Sequence, residues 1–302
     1  MQLTLKQVTY FLAVAEAGSV SRGAASLGIS QSALTEALKQ LEGQTGATLF
    51  TRHSKGVDLT YQGHQFLRHA HSILATVADA EKAISTRPEA VSGELNLGVT
   101  SMVSGYFLAH ILARYRRMFP NVEVRVIEDE RAYIEHLLVN GELGAGLMIT
   151  SNMEDTYALE HEVLMRSRFR VWMPPDHRLC RQEAIAIADM AEEPMIALST
   201  DDITESLATH WRAAGGEPRI VLKTSSVEAV RSLVATGAGL AILPDIAYRP
   251  WSLEGDRIEA RTLSAAIPQL DLGIAWRRGS DVPETAAHFI EMTREDAALR
   301  NR

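Results

Sequence analysis

At 302 residues, with 46% hydrophobic and 23% charged side chains, the chain is long enough for more than one folded unit with a buried core. No apolar run approaches the ~18 residues that a membrane span needs, and the start, MQLTLKQVTYFL, lacks the basic, apolar and small-residue segments of a secretory signal. The lone cysteine, Cys180, excludes an internal disulfide and fits a reducing cytoplasm. The net charge of −8 is unevenly spread: residues 1–87 carry eight Lys/Arg against six Asp/Glu, a net of +2 that leaves −10 on the remainder. Phosphate contacts are local, so the global sign does not exclude a nucleic-acid partner.

The first predicted helix turns Leu5, Val8, Phe11, Leu12 and Ala15 inward. A second runs from about Ser19 to Leu27, with Ala24 and Leu27 inward, and Gly28 stands where it should stop. Ser30 is placed to cap a third helix, which buries Ala33, Leu34, Leu38 and Leu41 and shows Gln31, Ser32, Thr35, Glu36 and Lys39 on its other face. Two helices joined by so short a turn form a helix-turn-helix whose second helix can enter the major groove. A short basic hairpin, the wing, follows near Arg52 to Val57.

The pattern resembles the DNA-binding domain of LysR-type transcriptional regulators. The residues that carry the likeness are Phe11, Gly18-Ser19, Gly23-Ala24, Leu27, Ser30-Gln31-Ser32, Leu41-Glu42, Gly46, Leu49-Phe50-Thr51-Arg52 and Leu59-Thr60-Tyr61-Gln62-Gly63. Three positions depart from it. Gly23 replaces an alanine, which should loosen its helix by ~1 kcal/mol; Thr35 replaces serine; and Glu36 stands where a cation or neutral polar residue is common. The implied DNA-binding residues are Ser21, Arg22, Gln31, Ser32, Thr35 and Lys39 on the helices and Arg52 and Lys55 in the wing.

Residues 59 to about 86 read as one long helix with Phe66, Ala70, Ile73, Leu74, Val77, Ala80 and Ile84 in a stripe. No large core lies beside it in sequence, so a partner helix from a second subunit is expected to cover the stripe, giving a homodimer. The family resemblance extends this to a homotetramer. Pro88 to Gly93 reads as a hinge.

From Glu94 the pattern changes to alternating strands and helices. Strands are predicted at Leu95–Val99, Val122–Ile127, Ala145–Ile149, Phe169–Met173, Met195–Leu198, Ile220–Lys223, Leu240–Leu243 and Leu270–Trp276. Helices are predicted at Phe107–Met118, Tyr133–Val139, Ser206–Ala214 and Val227–Ala235. This alternation implies doubly wound α/β units with parallel sheets, arranged as two lobes around a ligand cleft. The resemblance adds a periplasmic-binding-protein-like effector domain. It continues through Phe119-Pro120, Gly141-Glu142-Leu143, Asp176-His177-Arg178-Leu179 and Val234 to Pro244, with Gly144 where the family usually has Asp. The expected organisation is therefore an N-terminal all-α winged helix-turn-helix (1–58), a linker helix and hinge (59–92), and a two-lobed α/β domain (93–302). Lobe I takes about 93–160 and 267–302, and lobe II about 161–266.

Candidate effector residues sit at strand ends: Thr100, Ser101 and Met102, then Ser199 and Thr200, then Ser225 and Ser226. Any one of these hydroxyls serves equally as a helix cap, and Met102 as core. Their recurrence at strand ends favours a site, and a helix start near Ser101 offers N–H groups to an organic acid. Arg131 either pairs with that acid or joins a surface ion pair with Glu128, Asp129 or Glu130.

Enzyme motifs are weak. Gly237-Ala238-Gly239 follows a helix and opens a strand, the wrong order for a dinucleotide loop, and His177 with Cys180 is too few ligands for zinc. The expected function is a sequence-specific, cytoplasmic transcriptional regulator of promoter DNA. It is not an enzyme, needs no cofactor or metal, and answers to a small-molecule effector. The alternative is a binding protein or enzyme on the two lobes whose N-terminal helices serve only assembly.

Overall fold

The computed structural model describes residues 3–53, 56–85, 91–151, 153, 157–264, 267 and 269–300. The chain divides into two compact units: Met1–Ser92 with His110–Asn121 and Glu295–Arg302, and Gly93–Ala109 with Val122–Arg294.

In the first unit, helix α1 (Leu5–Ala17) begins with a capping box. Thr4 Oγ1 accepts the Gln7 N–H at 3.2 Å, and Gln7 Oε1 accepts the Thr4 N–H at 3.0 Å. Leu5 is exposed; Val8, Phe11 and Leu12 are buried as expected, Ala15 packs against the same core, and Gln7 and Val14 join the inward face. Helices α2 (Val20–Ser26) and α3 (Gln31–Thr45) follow, with Gly28 left-handed between them. Ala33 points out, while Leu34, Leu38 and Leu41 are buried. Gly23 is buried in the α1–α2 contact, where an added Cβ would lie 3.0 Å from both Ala13 O and Val14 Cγ2. Its ~1 kcal/mol propensity loss is thus set against a helix approach that a methyl group would crowd.

Strands β1 (Phe50–His53) and β2 (Gly56–Leu59) pair antiparallel and form the expected wing. Phe11 is the hub of the core, its ring centroid 5.0 Å from that of Phe50 and 4.8 Å, edge-on, from that of Phe66. Phe66 belongs to helix α4 (Tyr61–Ser85), and Phe66, Leu67, Ala70, Ile73 and Leu74 all join this same core. The first half of the long helix is therefore covered by its own chain, contrary to the expectation of a wholly intermolecular stripe. Gly63 lets α4 start there: a Cβ would sit 2.1 Å from the Leu49 carbonyl. Residues 88–90 of the expected hinge at 88–93 lie outside the described residues.

The second unit has two lobes. In lobe I, β3 (Gly93–Val99), β4 (Val122–Glu128) and β5 (Ala145–Ile149) run parallel. Strand β6 (Leu159–Ser167) and β13 (Leu270–Arg277) complete the order β4-β3-β5-β13-β6, with β13 antiparallel to both neighbours. Because β6 stays in this sheet as far as Ser167, the crossing to lobe II lies beyond Ser167, not near residue 160.

A helical run leaves β3 as α5 (Ser101–Val103), passes through a π turn at Ser104–Leu108 and continues as α6 (Ala109–Met118). Helix α7 (Arg131–Asn140) covers β5.

Lobe II holds β7 (Phe169–Met173), β8 (Ala184–Ile185), β9 (Met195–Leu198), α8 (Ile203–Ala213), β10 (Ile220–Thr224), α9 (Val227–Ala235), β11 (Ala241–Pro244) and β12 (Glu259–Leu263). Its four-stranded sheet, β11-β7-β12-β8, is mostly antiparallel, while β9 and β10 form a parallel pair. The expected parallel sheets are thus mixed in both lobes: β13 re-enters the lobe I sheet after the chain returns from lobe II, and within lobe II β7 runs antiparallel to both β11 and β12. Helix α10 (Glu284–Arg300) ends the fold.

Candidate functional site

The start of α3 is built for presentation. Ser30 Oγ accepts the Ala33 N–H at 3.2 Å, which fixes the first turn, and Gln31 and Ser32 beside it are exposed. The Thr35 hydroxyl donates to the Gln31 carbonyl at 2.8 Å, so it can offer a base edge only its methyl group and lone pairs. Lys39 is exposed further along the same helix. Ser21 is exposed on α2, its hydroxyl 3.1 Å from that of Ser19, and the exposed Arg22 donates to the Ala17 carbonyl. In the wing, Arg52 is exposed opposite Val57. Lys55 lies outside the described residues. Glu42 braces the base of the wing, accepting the Leu49 and Phe50 N–H groups at 2.7 and 3.2 Å.

In the second unit the lobes meet through polar contacts. The Met102 N–H, in the first turn of the helical run, donates to Asp201 Oδ2 at 2.9 Å. Arg131 donates through Nη2 to Asp202 Oδ2 at 2.9 Å and through Nη1 to Glu135 at 2.7 Å. The π turn carries Tyr106, whose hydroxyl donates to Glu228 Oε1 at 2.8 Å. Burial pushes the Asp201 carboxyl above its ordinary range, helped by the nearby charges of Asp202 and Glu128 and opposed by Thr100 and the Met102 N–H. Asp201 and Asp202 are both left-handed, at φ 56° and 55°.

Ser101 is exposed and donates to Glu128 at 2.8 Å, and the Met102 side chain is buried core. Two cavities lie away from these contacts. One of about 250 Å³ is lined by Glu94, Gly144 and Arg277, and one of about 240 Å³ by Leu207, Trp211 and Ile220. Both are smaller than the ~300 Å³ at which ligand pockets usually begin.

Two family models cover the chain. Residues 5–64 match the bacterial regulatory helix-turn-helix protein model of the lysR family, and residues 88–298 match the LysR substrate binding domain. The chain belongs to the LysR family of transcriptional regulators. Among its relatives, the HTH-type transcriptional regulator YnfL of Escherichia coli K12 is 31% identical over 254 residues, 81% of this chain and 83% of that one. AlsR of Bacillus subtilis 168 is 26% identical over 294 residues, 96% of this chain and 95% of that one. The structure of HinK, a LysR family regulator from Pseudomonas aeruginosa, superposes with a TM-score of 0.63 at 26% identity, covering 98% of this chain and 99% of that chain. CbnR in complex with its target DNA has the same fold, with a TM-score of 0.55 at 21% identity over 98% of this chain and 100% of that chain. The chain is accordingly a DNA-binding, effector-responsive and oligomeric regulator, not an enzyme. Among the described residues no helix is long and apolar enough to cross a membrane.

The effector residues expected of this LysR-type regulator are only partly brought together. Thr100 and Met102 meet lobe II through Asp201, a neighbour of Thr200 rather than Thr200 itself. Ser199 is exposed and its N–H is tied to the Thr224 carbonyl at 2.9 Å. Thr200 accepts the Ile203 N–H through its carbonyl at 3.2 Å. Ser226 caps α9, accepting the Ala229 N–H at 3.2 Å, so its hydroxyl is structural, and Ser225 beside it is exposed. Arg131 pairs with Glu135, one turn along α7, and with Asp202 from the other lobe.

The residues missed in the sequence are Asp201, Asp202, Tyr106, Glu228 and Arg231. The run Ser199-Thr200-Asp201-Asp202 ahead of a helix was the available signal, but it reads as ordinary capping chemistry. The expected polar turn at His177 and Cys180 holds no unused ligand pair: His177 contacts Glu193 at 3.5 Å, and Cys180 donates to the Pro174 carbonyl at 3.4 Å.

Proposed function

We propose that this regulator reads operator half-sites with the first turn of α3. Gln31, Ser32 and Thr35 face base edges, and Ser21, Arg22, Lys39, Arg52 and Lys55 hold the phosphates on either side. The observation that carries this is the exposed Gln31-Ser32 start of a helix capped by Ser30, together with the exposed Arg52 on the wing. Glutamine can pair with both hydrogen-bonding positions of adenine, whereas the cations read no sequence and fix register. Pairs of chains, joined along α4 and assembled further into a tetramer, would place two such helices on successive turns of one DNA face. The protein works in the cytoplasm on promoter DNA.

Between the lobes a small organic acid sets the lobe arrangement, and thereby the spacing or bend of the bound DNA. Such coupling requires the acid to favour one arrangement of the lobes over another. The N–H groups around Ser101 and Met102 and the Arg131 guanidinium supply the recognition. The test is binding of the full chain to a palindromic fragment across a salt series, followed by a thermal-shift screen of organic acids. Binding should weaken steeply with salt, and at least one acid should change both melting and DNA affinity. Salt-independent binding would remove the DNA reading, and a blank screen would remove the effector reading.

A further inference from the structure

The effector reading of the cleft has a sharper form, which rests on it. The cleft offers two anion-receiving groups, the Met102 N–H and the Arg131 guanidinium, and both are filled from inside the molecule. Asp201 accepts the first at 2.9 Å and Asp202 the second at 2.9 Å. They are consecutive residues, and both hold a left-handed backbone that a side chain rarely adopts. Strain of this kind persists only where the surrounding contacts enforce it.

A second observation points to the same spot. The Thr100 hydroxyl is 1% exposed and has no well-formed hydrogen-bond partner, though it lies close enough to Asp201 to stabilise the ionised carboxylate. A buried hydroxyl in a folded protein normally finds a partner. Here it faces the Asp201 carboxylate without properly bonding it.

We propose that Asp201 and Asp202 are a tethered stand-in for the effector, which is a small dicarboxylate. Its two carboxylates replace those of Asp201 and Asp202, one at the Met102 N–H and the Thr100 hydroxyl, the other at Arg131. Tethering explains why two charges are needed. A side chain held in place competes at an effective concentration on the order of millimolar. A monoacid that displaces one aspartate leaves the other holding the loop. A dicarboxylate replaces both at once and releases residues 201–202 from their left-handed conformation. Glu135 already balances Arg131, so the Met102 end is the stronger of the two.

The experiment uses the full chain, the variants Asp201→Ala and Asp201→Ala/Asp202→Ala, and succinate as probe with sodium chloride at matched ionic strength. Amide hydrogen exchange at Met102 reads the contact directly and needs neither DNA nor a natural effector. Asp201→Ala should speed that exchange by about tenfold or more. Succinate should slow it again in the double variant, at concentrations about tenfold below those that affect the wild type. Asp201→Asn keeps an acceptor and the side-chain shape, so it should exchange at an intermediate rate and supplies the reading should the alanine variants fold poorly. Unchanged Met102 exchange in both Asp201 variants, or equal succinate responses in the double variant and the wild type, would overturn the proposal. A chain that passes this test yet binds no DNA speaks against the operator reading alone.

Discussion

The Tyr106 hydroxyl donates to Glu228 Oε1 at 2.8 Å, and Glu228 is held in turn by Arg231, whose Nε lies 2.9 Å from its other oxygen. Arg231 is 1% exposed, donates to the carbonyls of Ala247 and Arg249 at 2.8 and 2.7 Å, and stacks 5.1 Å from the centre of the Trp172 ring. A buried guanidinium of this kind is tolerated because its planar fork is satisfied on every side. Removing it leaves carbonyls and a carboxylate short of donors. Arg231→Ala should therefore cost about 3–5 kcal/mol of stability. Arg231→Lys should recover little, because an ammonium cannot reach the same acceptors. Tyr106→Phe should cost only about 1 kcal/mol, since Glu228 keeps Arg231. Denaturant unfolding of the three variants checks the order, and a lysine variant as stable as wild type would contradict it.

Two carboxylates that bridge the lobes respond to pH in opposite senses. Burial works to raise the Glu228 carboxyl, but the bonds from Arg231 and Tyr106 outweigh it and hold the group below its ordinary 4.5. Its contribution to stability is present above pH 4.5 and is lost as pH falls through the lower folded value. Asp201 is raised above 3.8, chiefly by burial, so its contribution is full below that value and is lost as pH rises through the folded one. Melting measured from about pH 3 to pH 7 should show Glu228→Gln losing part of the acid-side destabilisation. Asp201→Asn should lose part of the decline on the neutral side. Parallel curves for wild type and both variants would contradict this assignment.

Gln31 is the side chain on α3 best placed to select a base. Gln31→Ala should weaken specific binding by about 1–3 kcal/mol and relax the preference at one position of each half-site. Its effect on stability should be small, because the side chain is exposed and the helix cap belongs to Ser30. Binding-site selection on the variant checks both points, and an unchanged motif with unchanged affinity would exclude the role.

Arg52 differs in kind. It is exposed on the wing, opposite Val57, and carries no geometry for one particular base. Arg52→Ala should weaken all DNA sequences alike and reduce the slope of log affinity against log salt by about one unit. A salt titration reads that slope directly. A wild-type slope would mean that Arg52 braces the wing without meeting a phosphate.

The N-terminal unit was legible residue by residue because its signals are local. Ser30 as cap, Gly28 as stop and the Leu34, Leu38, Leu41 spacing each depend on neighbours within four positions. Ala33 and Leu5 misled because an apolar residue beside the inward face need not lie on it. Eight strand positions from Glu94 on were legible for the same reason, whereas β6, β8 and β12 were not predicted. Strand direction was not: alternation along β13 is the same whether it runs with or against β5. The cleft was least legible. The partner of Met102 lies 99 residues away, and that of Arg131 71 residues away. Nothing in the run Ser-Thr-Asp-Asp announces two left-handed residues.

The long helix supplies a last prediction. Twenty-five residues at 1.5 Å each make α4 about 37 Å long, more than the core of its own unit covers. Phe66, Leu67, Ala70, Ile73 and Leu74 are spent on that core, packed against Phe11 and its neighbours. Val77 comes next along the stripe and is only half-buried within the single chain. In an oligomeric regulator, this is where the surface owned by one chain ends and a second α4 can begin. Val77→Asp would then place an unpaired charge against the partner helix, at a cost of several kcal/mol. It should yield monomers in sedimentation while leaving the far-ultraviolet helix signal intact. Binding to a two-half-site fragment should fall with it, because each chain must then bind alone. Val77→Leu keeps the surface apolar and should remain oligomeric. A Val77→Asp chain that sediments as a stable dimer would place the pairing surface on another face.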